Sequence, residues 1–549
     1  MSTTFLPHSV LQTIQKVALF AAPFLVLAIF MVGQFLAMRQ QTHSWYFQDE
    51  TEHVTNGWMI HEFGRVLYRD ISSNHQPIPI LFGGWVSQII PYQTLFEFIS
   101  RLRQFMFFWH VLLAAALTLR FRWRAVIATL LTQSVAYQYF GWYVLAEGLV
   151  IPAVLFCLLL LLERVFEKTE SSDRFKSTAD AAMLGLSCAW LFFNALWLWP
   201  FAALCGLVYI VQAVQRTHSR TGTISIPQEL WVSLLSALLV AAILFSQFSP
   251  IDWYRETVRN LIVYFIPFEA TKGGWLKYLQ VLFYPALGFA ALSSRVGAVF
   301  ASFALILPVS CWMVWKKKHW AWALALLVFV TTLNPRVSQM PATFYEGFHL
   351  WPYVAGISAV LASFAWGKWL RTTTSRGRFL VVCCWVAIVA GMTYYNIDWW
   401  VERKDRFNEY NIQYGVFDSH ARAIGALAHP GDTVLAGPDG HGYIHIMAGL
   451  PTAGKQLFHL DWANRVPDLR EYFDNMLVTS PPTFVYYVTD DGAVSRTLMP
   501  MLAADYTELV WVDRTRSHLY INKKAAALRS EAEWKKLEDL LYRRGGVEN

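Results

Sequence analysis

Side chains that could do chemistry are concentrated in one part of this 549-residue chain. Asp49, Glu50, Glu52, Glu62 and Asp70 fall in a single stretch after the first long apolar run, with His53 and His75 among them. Glu147 stands apart, in Leu145-Ala146-Glu147-Gly148 at the end of a later apolar run. A carboxylate within hydrogen-bond reach of a polar hydrogen serves as a general base. Asp49-Glu50-Thr51-Glu52-His53 opens a helical pattern running to about Phe63, and acids suit a helix N-terminus. One reading is therefore a solvated surface helix with capping acids. The other is a carboxylate poised just beyond a membrane span, facing a substrate whose tail lies in the bilayer.

The elements that position these groups follow from composition. Hydrophobic residues make up 55% and aromatics 16%, with 25 Trp, while charged residues are only 15%, against about 25% in an ordinary soluble domain. This excludes collagen, coiled coil, disordered chain and disulfide scaffold, and leaves a polytopic α-helical membrane protein. A span needs about 20 mostly apolar residues. Runs of that kind lie at 17–38, 98–119, 125–141, 144–162, 181–196, 198–214, 229–248, 296–315, 319–334, 350–367 and 378–396, predicting about eleven transmembrane helices. Alternate loops carry Arg120, Arg122 and Arg124, then Arg164, Lys168, Arg174 and Lys176, then Arg216 and Arg220, then Lys316, Lys317 and Lys318, then Lys368, Arg371, Arg376 and Arg378. The excess of Lys and Arg marks the cytoplasmic side. The N-terminus is then cytoplasmic, and the segments 39–97, 249–295 and 335–349 lie outside. With an odd number of spans, the C-terminal tail is extracytoplasmic.

Charge density marks the domain boundary. Residues 397–549 hold 17 Lys+Arg and 21 Asp+Glu, whereas residues 1–396 hold 28 and 17. The tail thus reads as a water-facing domain, and the basic excess belongs to membrane loops. That argues for contact with membrane lipids rather than nucleic acid. Within the tail, Val416–Ala428 is predicted as helix, and Thr433–Ala436, Thr483–Val488, Tyr506–Val512 and His518–Asn522 as strands, before a charged helix at 524–543. Short strands alternating with helices predict a small α/β layer domain.

Other candidates read as structural. The six cysteines all lie in apolar runs and none in the tail, as small buried hydrophobes do. His110 and Asn194, the main polar residues inside the spans, read as helix–helix contacts. His441 and His445 are four apart, but glycines flank His441 and no acid follows at a metal-site spacing. Gly437-Pro438-Asp439-Gly440 is a turn, and the sequence has no phosphate-cradling glycine loop.

At the residues around position 49 the chain resembles the GT-C superfamily of membrane glycosyltransferases, most closely the branch of protein O-mannosyltransferases and lipid A aminoarabinose transferases. The features that coincide are a first span followed by Asp49-Glu50, then Gly64-x-x-x-Tyr68-x-Asp70, then His75 and Pro77. Arg101 and Arg103 open the second span, and Phe348-His349-Leu350-Trp351-Pro352 precedes the tenth. In the tail, Asp432-Thr433-Val434-Leu435 leads to Ala448-Gly449-Leu450-Pro451 and Ser480-Pro481-Pro482. The sequence departs from the family near the fifth span, where Phe193-Asn194-Ala195-Leu196-Trp197 stands in place of a Thr-Lys-Gly stretch.

The resemblance implies a GT-C-like transmembrane catalytic domain at 1–396 and an extracytoplasmic α/β domain at 397–549. It implies an inverting glycosyltransferase in the plasma (bacterial inner) membrane, moving a sugar from a polyprenyl-phosphate donor to a glycan, lipid or protein acceptor. Asp49 matches the general base. Glu50 and Glu147 match supporting acids that orient the acceptor or bind a divalent cation, Mg or Mn. Growing charge on the departing phosphate needs preorganised cations, which Arg259, Arg336, Arg103 and His349 would supply. Tyr68, Asp70 and His75 would position substrate. Two other readings stand beside it. A transporter or flippase for lipid-linked sugars would need related halves or broken helices, and no internal repeat is visible. An oligosaccharide ligase would consume a pyrophosphate-linked chain, and a receptor would do no chemistry.

Overall fold

The computed structural model describes residues 8–41, 47–136, 141–166, 174–221, 226–265, 267, 356–357, 359–360, 362–364, 406–437, 442–457, 462–488, 493–509 and 517–545. The expected spans at 296–315, 319–334 and 378–396 lie outside these residues, and 350–367 lies largely outside them.

Five described helices are long and apolar enough to cross a membrane: Gln15–Leu36, Leu95–Phe121, Ala146–Arg164, Leu196–His218 and Gln228–Phe245. They fall on the runs expected at 17–38, 98–119, 144–162, 198–214 and 229–248. Helix α1 is His8–Gln41, α2 Gln48–Phe63, α3 Pro77–Ile89 and α4 Leu95–Phe121. Next come α5 (Trp123–Ala136), α6 (Ala146–Phe166), α7 (Arg174–Phe192), α8 (Trp199–Thr221), α9 (Gln228–Phe245) and α10 (Pro250–Tyr254). The runs expected at 125–141 and 181–196 appear as α5, of 14 residues, and α7, which starts at Arg174 and includes Lys176 and Asp180.

Helix α6 is the core of the bundle. Its Val150, Val154, Leu158 and Leu161 are all buried, in one cluster with Leu131 of α5 and Phe201 of α8. Helix α9 is peripheral, presenting Trp231, Leu234, Leu235, Leu238, Leu239 and Ile243 outward. An outward row of this size is unstable against water and stable against lipid tails. At one end of the bundle Arg120 bridges Glu163 at 2.8 Å and Asp180 at 2.6 Å, tying α4, α6 and α7 together.

The opposite end carries the segment between α1 and α4. Here α2 and α3 cross backbone to backbone. A Cβ on Gly84 would stand 2.5 Å from the Gly57 carbonyl oxygen, so glycine is required at this crossing. Helix α2 ends at Gly64 in the left-handed conformation (φ 62°), the usual stop for a helix. Tyr68 is also left-handed (φ 67°), a conformation that costs a side-chain-bearing residue about 1–3 kcal/mol.

Residues 406–545 supply a four-stranded sheet flanked by helices. Helix α11 is Arg406–Leu427, β1 Val434–Ala436, α12 Tyr443–Ala448, α13 Pro467–Thr479 and β2 Phe484–Val488. They are followed by α14 (Ala493–Asp505), β3 (Tyr506–Glu508), β4 (Ser517–Asn522), α15 (Lys523–Ala526) and α16 (Glu531–Gly545). The strand order is β1-β2-β4-β3, with β1 parallel to β2 and the other pairs antiparallel. The helix expected at 524–543 is broken at 527–530. Arg529 turns inward onto Asp432, and Ser530 accepts a fresh start by hydrogen bonding Glu533 at 2.7 Å.

This sheet unit is packed onto α2. One hydrophobic cluster holds Val54 of α2, Phe98 of α4, Val144 beside α6, and Tyr443, Ile446 and Leu457. Arg65 donates to the Thr452 carbonyl at 2.6 Å, and the Ser72 amide donates to the Lys455 carbonyl at 2.8 Å.

Candidate functional site

Helix α2 starts from an extended Phe47 (φ −137°, ψ 122°) and has Asp49 and Glu50 in its first turn. At about 100° per residue, adjacent positions face different ways, and the structure separates the two acids accordingly. Glu50 points into the bundle and is 1% exposed, whereas the Asp49 side chain is 36% exposed.

Glu50 is held by both guanidinium nitrogens of Arg103 on α4. Its Oε1 also accepts the Val144 amide at 2.9 Å, and the Arg103 guanidinium lies 3.4 Å from the Tyr143 ring centroid. Arg103, expected as a donor-phosphate cation, directs its guanidinium fork onto a buried carboxylate. Glu50, expected as a supporting acid, has its oxygens on that fork and on a backbone amide. Together the pair fixes α2 against α4 and the turn before α6.

Around Asp49 stands a second set of groups. His75 Nε2 lies 4.0 Å from Asp49 Oδ1 and 3.6 Å from Glu52 Oε2. Glu52 Oε1 accepts the Ser73 hydroxyl at 2.8 Å, and Ser73 Oγ accepts the His75 amide at 3.2 Å. Burial pushes the Glu52 carboxyl up, but His75, His53 and Ser73 outweigh it and hold the group below the usual range. His53 is buried, with its ring edge-on to His75 at 4.5 Å and Nδ1 3.0 Å from the Val144 carbonyl. Burial, then the charge of His75, lowers its pKa to about 3, partly opposed by Glu52 and Glu147. Glu147, buried in the first turn of α6, thus belongs to the same set through His53.

Tyr68 and Asp70 build the loop that presents His75. The Tyr68 hydroxyl donates to the His75 carbonyl at 2.9 Å, and burial pushes the phenol well above its ordinary range. Asp70 accepts the Val66 amide at 2.9 Å and pairs with Arg69 at 2.8 Å. The Arg69 hydrogen bond outweighs burial and keeps the Asp70 carboxyl below its usual range. Both residues act on backbone shape here, and the structure places their polar atoms on the loop itself.

Arg259 closes a π-helical turn, Arg255–Arg259, that continues α10, and it is exposed. In the same turn Glu256 is buried and accepts the Ser72 hydroxyl at 2.7 Å, with burial raising its pKa against Ser72 and Arg255. Arg336 and His349 lie outside the described residues. Glu52 and His53 stood in the acidic stretch without an assigned role, and Ser73 and Glu256 were not among the candidates. Asp49, Glu52 and His53 stand at i, i+3 and i+4, the spacing that puts side chains on one helix face, and that was the readable signal. Ser73 and Glu256 gave none. Among the described residues, no group of three His, Cys, Asp or Glu side chains is arranged to hold a metal ion.

No family model and no curated protein matches the sequence. The fold does have counterparts among solved structures. ArnT from Cupriavidus metallidurans bound to undecaprenyl phosphate aligns over 90% of this chain and 97% of its own, at 12% identity and a TM-score of 0.53. The same protein in the apo state gives 94% and 99% coverage, 14% identity and 0.48. The Archaeoglobus fulgidus oligosaccharyltransferase in complex with Zn and sulfate gives 95% and 77%, 13% and 0.41. ArnT, a lipid A aminoarabinose transferase, and the oligosaccharyltransferase are both GT-C membrane glycosyltransferases. The alignment with undecaprenyl-phosphate-bound ArnT over nearly the full length of both chains establishes a GT-C-like helical membrane fold.

Proposed function

We propose that this protein is an inverting glycosyltransferase that uses a polyprenyl-phosphate-linked sugar at the extracytoplasmic face of a bacterial inner membrane. One observation carries the reading. Asp49 is a half-exposed carboxylate at one end of the membrane bundle, on a helix anchored by the buried Glu50–Arg103 pair. One structural neighbour of this fold, ArnT from Cupriavidus metallidurans, was solved with undecaprenyl phosphate, which favours a lipid-linked donor here.

In this mechanism the acceptor hydroxyl gives its proton to Asp49 as its oxygen bonds to the anomeric carbon. The bond from that carbon to the phosphate oxygen breaks, and the polyprenyl phosphate leaves with the electron pair. Exposed Arg259, with Arg336 and His349, is assigned to the departing phosphate. The domain at 397–549 covers the outer side, and the acceptor is a glycan, lipid or protein hydroxyl.

The test is Asp49→Asn in membranes supplied with polyprenyl-phosphate sugars. General-base catalysis is worth about 10²–10⁴-fold, so turnover falls by that factor while binding of polyprenyl phosphate persists. Near-normal turnover in this variant overturns the assignment. Carrier crossing reconstituted vesicles without a glycosylated product establishes the transporter reading instead.

A further inference from the structure

We propose that a positive charge on His75, whose Nε2 faces the carboxylates of Asp49 and Glu52, orients Asp49 for catalysis, making His75 the positioning residue of the base. The inference rests on the reading of Asp49 as general base and replaces the role first expected for His75, contact with substrate.

The geometry assigns this role in three steps. First, exposure falls inward along the row, from 36% at Asp49 to 19% at His75 and 12% at Glu52. A nitrogen 4.0 Å and 3.6 Å from two carboxylates is favoured as N–H⁺, because opposite charge at this range stabilises the ionised form. Second, the backbone that carries the imidazole is anchored. It is tied by the Tyr68 hydroxyl at its carbonyl and by Ser73 Oγ at its amide, and Ser73 is itself bonded to Glu52. The strained left-handed Tyr68 is what aims that hydroxyl back at residue 75.

Third, the second imidazole stays neutral. His53 gives its Nδ1 hydrogen to the Val144 carbonyl, and its Nε2 has no hydrogen-bond partner among the described residues. Two imidazolium rings 4.5 Å apart would repel, so a single positive charge resides on the outer ring. Among the described residues, the groups that bear on His75 include Asp49, Glu52 and His53 from α2, and Ser73 and Tyr68 from its own loop. Glu147 from α6 acts through His53. Attraction to Nε2–H⁺ turns Oδ1 of Asp49 toward His75.

The experiment is an NMR titration of the full-length protein in nanodiscs, with ¹³C and ¹⁵N in the histidine rings and His75→Gln for assignment. The His75 signal is expected to titrate above the ordinary imidazole value of about 6.5. Asp49→Asn and Glu52→Gln, both nearly isosteric, are each expected to lower the midpoint by about 1 unit or more. A wild-type midpoint at or below that ordinary value, or one unmoved by both variants, overturns the proposal. So does a signal displaced by adding EDTA, which would mean that Nε2 carries a metal. A titration that behaves as expected while Asp49→Asn keeps full turnover overturns the proposed function alone.

Discussion

Arg103 clasps Glu50 with both guanidinium nitrogens where neither side chain is more than 4% exposed. A buried pair of this kind is weak support for stability against an apolar substitute, yet breaking it strands a charge. Glu50→Gln or Arg103→Leu is expected to destabilise the solubilised protein by about 3–5 kcal/mol. The double variant Glu50→Leu, Arg103→Leu should recover much of that loss. Thermal unfolding followed by size-exclusion recovery checks it. Additive losses in the double variant would show that the two side chains do not act as a pair.

The contact between α2 and the C-terminal unit leaves no space at Gly442. A Cβ there would stand 2.8 Å from both Leu457 Cδ2 and the Thr51 carbonyl, and 3.0 Å from Thr55 Oγ1. Two of these three neighbours belong to the helix bearing Asp49. Gly442→Val is expected to reduce transfer at least tenfold by displacing that helix, while Gly431→Asn, at a left-handed turn with open space around it, leaves transfer unchanged. Equal activities would separate the C-terminal unit from the site.

His445 gives the C-terminal unit its own response to acid. It is fully buried, and burial lowers its pKa to about 4, against a smaller opposing effect of the Leu450 carbonyl. A histidine folded in its neutral form binds fewer protons than in the unfolded chain, so the stability it contributes is complete above about pH 6.5. That contribution declines as the pH falls toward 4. His445→Gln is expected to flatten the fall in melting temperature across that window. A wild-type melting temperature constant across it would remove His445 as a source of acid sensitivity.

Much of the scaffold was legible in the sequence, because lipid imposes a simple pattern. Runs such as 144–162 and 229–248 are apolar over the length of a crossing and emerge as α6 and α9. Strand β2 was readable from Phe484-Val485-Tyr486-Tyr487-Val488, β-formers bounded by a Ser-Pro-Pro turn. The break at 527–530 was not readable, since it depends on Arg529 reaching Asp432 nearly a hundred residues away. The site divided the same way. Asp49, Glu50 and Glu147 could be picked out as acids beside apolar runs, but Arg103 looks identical to Arg101 in sequence. Only packing shows that Arg103 meets Glu50 while Arg101 reaches the Pro91 carbonyl. Ser73, Tyr68 and Glu256 matter through backbone turns and long-range contacts, which composition and spacing do not encode.

Gly442 and Thr51 meet although 391 positions separate them. At about 5–20 residues per second of synthesis, α2 leaves the ribosome about 20–80 s before the segment that covers it. During that interval α2 stands without the contacts that Gly442, Thr452 and Leu457 make with Thr51, Met59 and Val54, so a chain released early lacks one side of the packing that holds this helix.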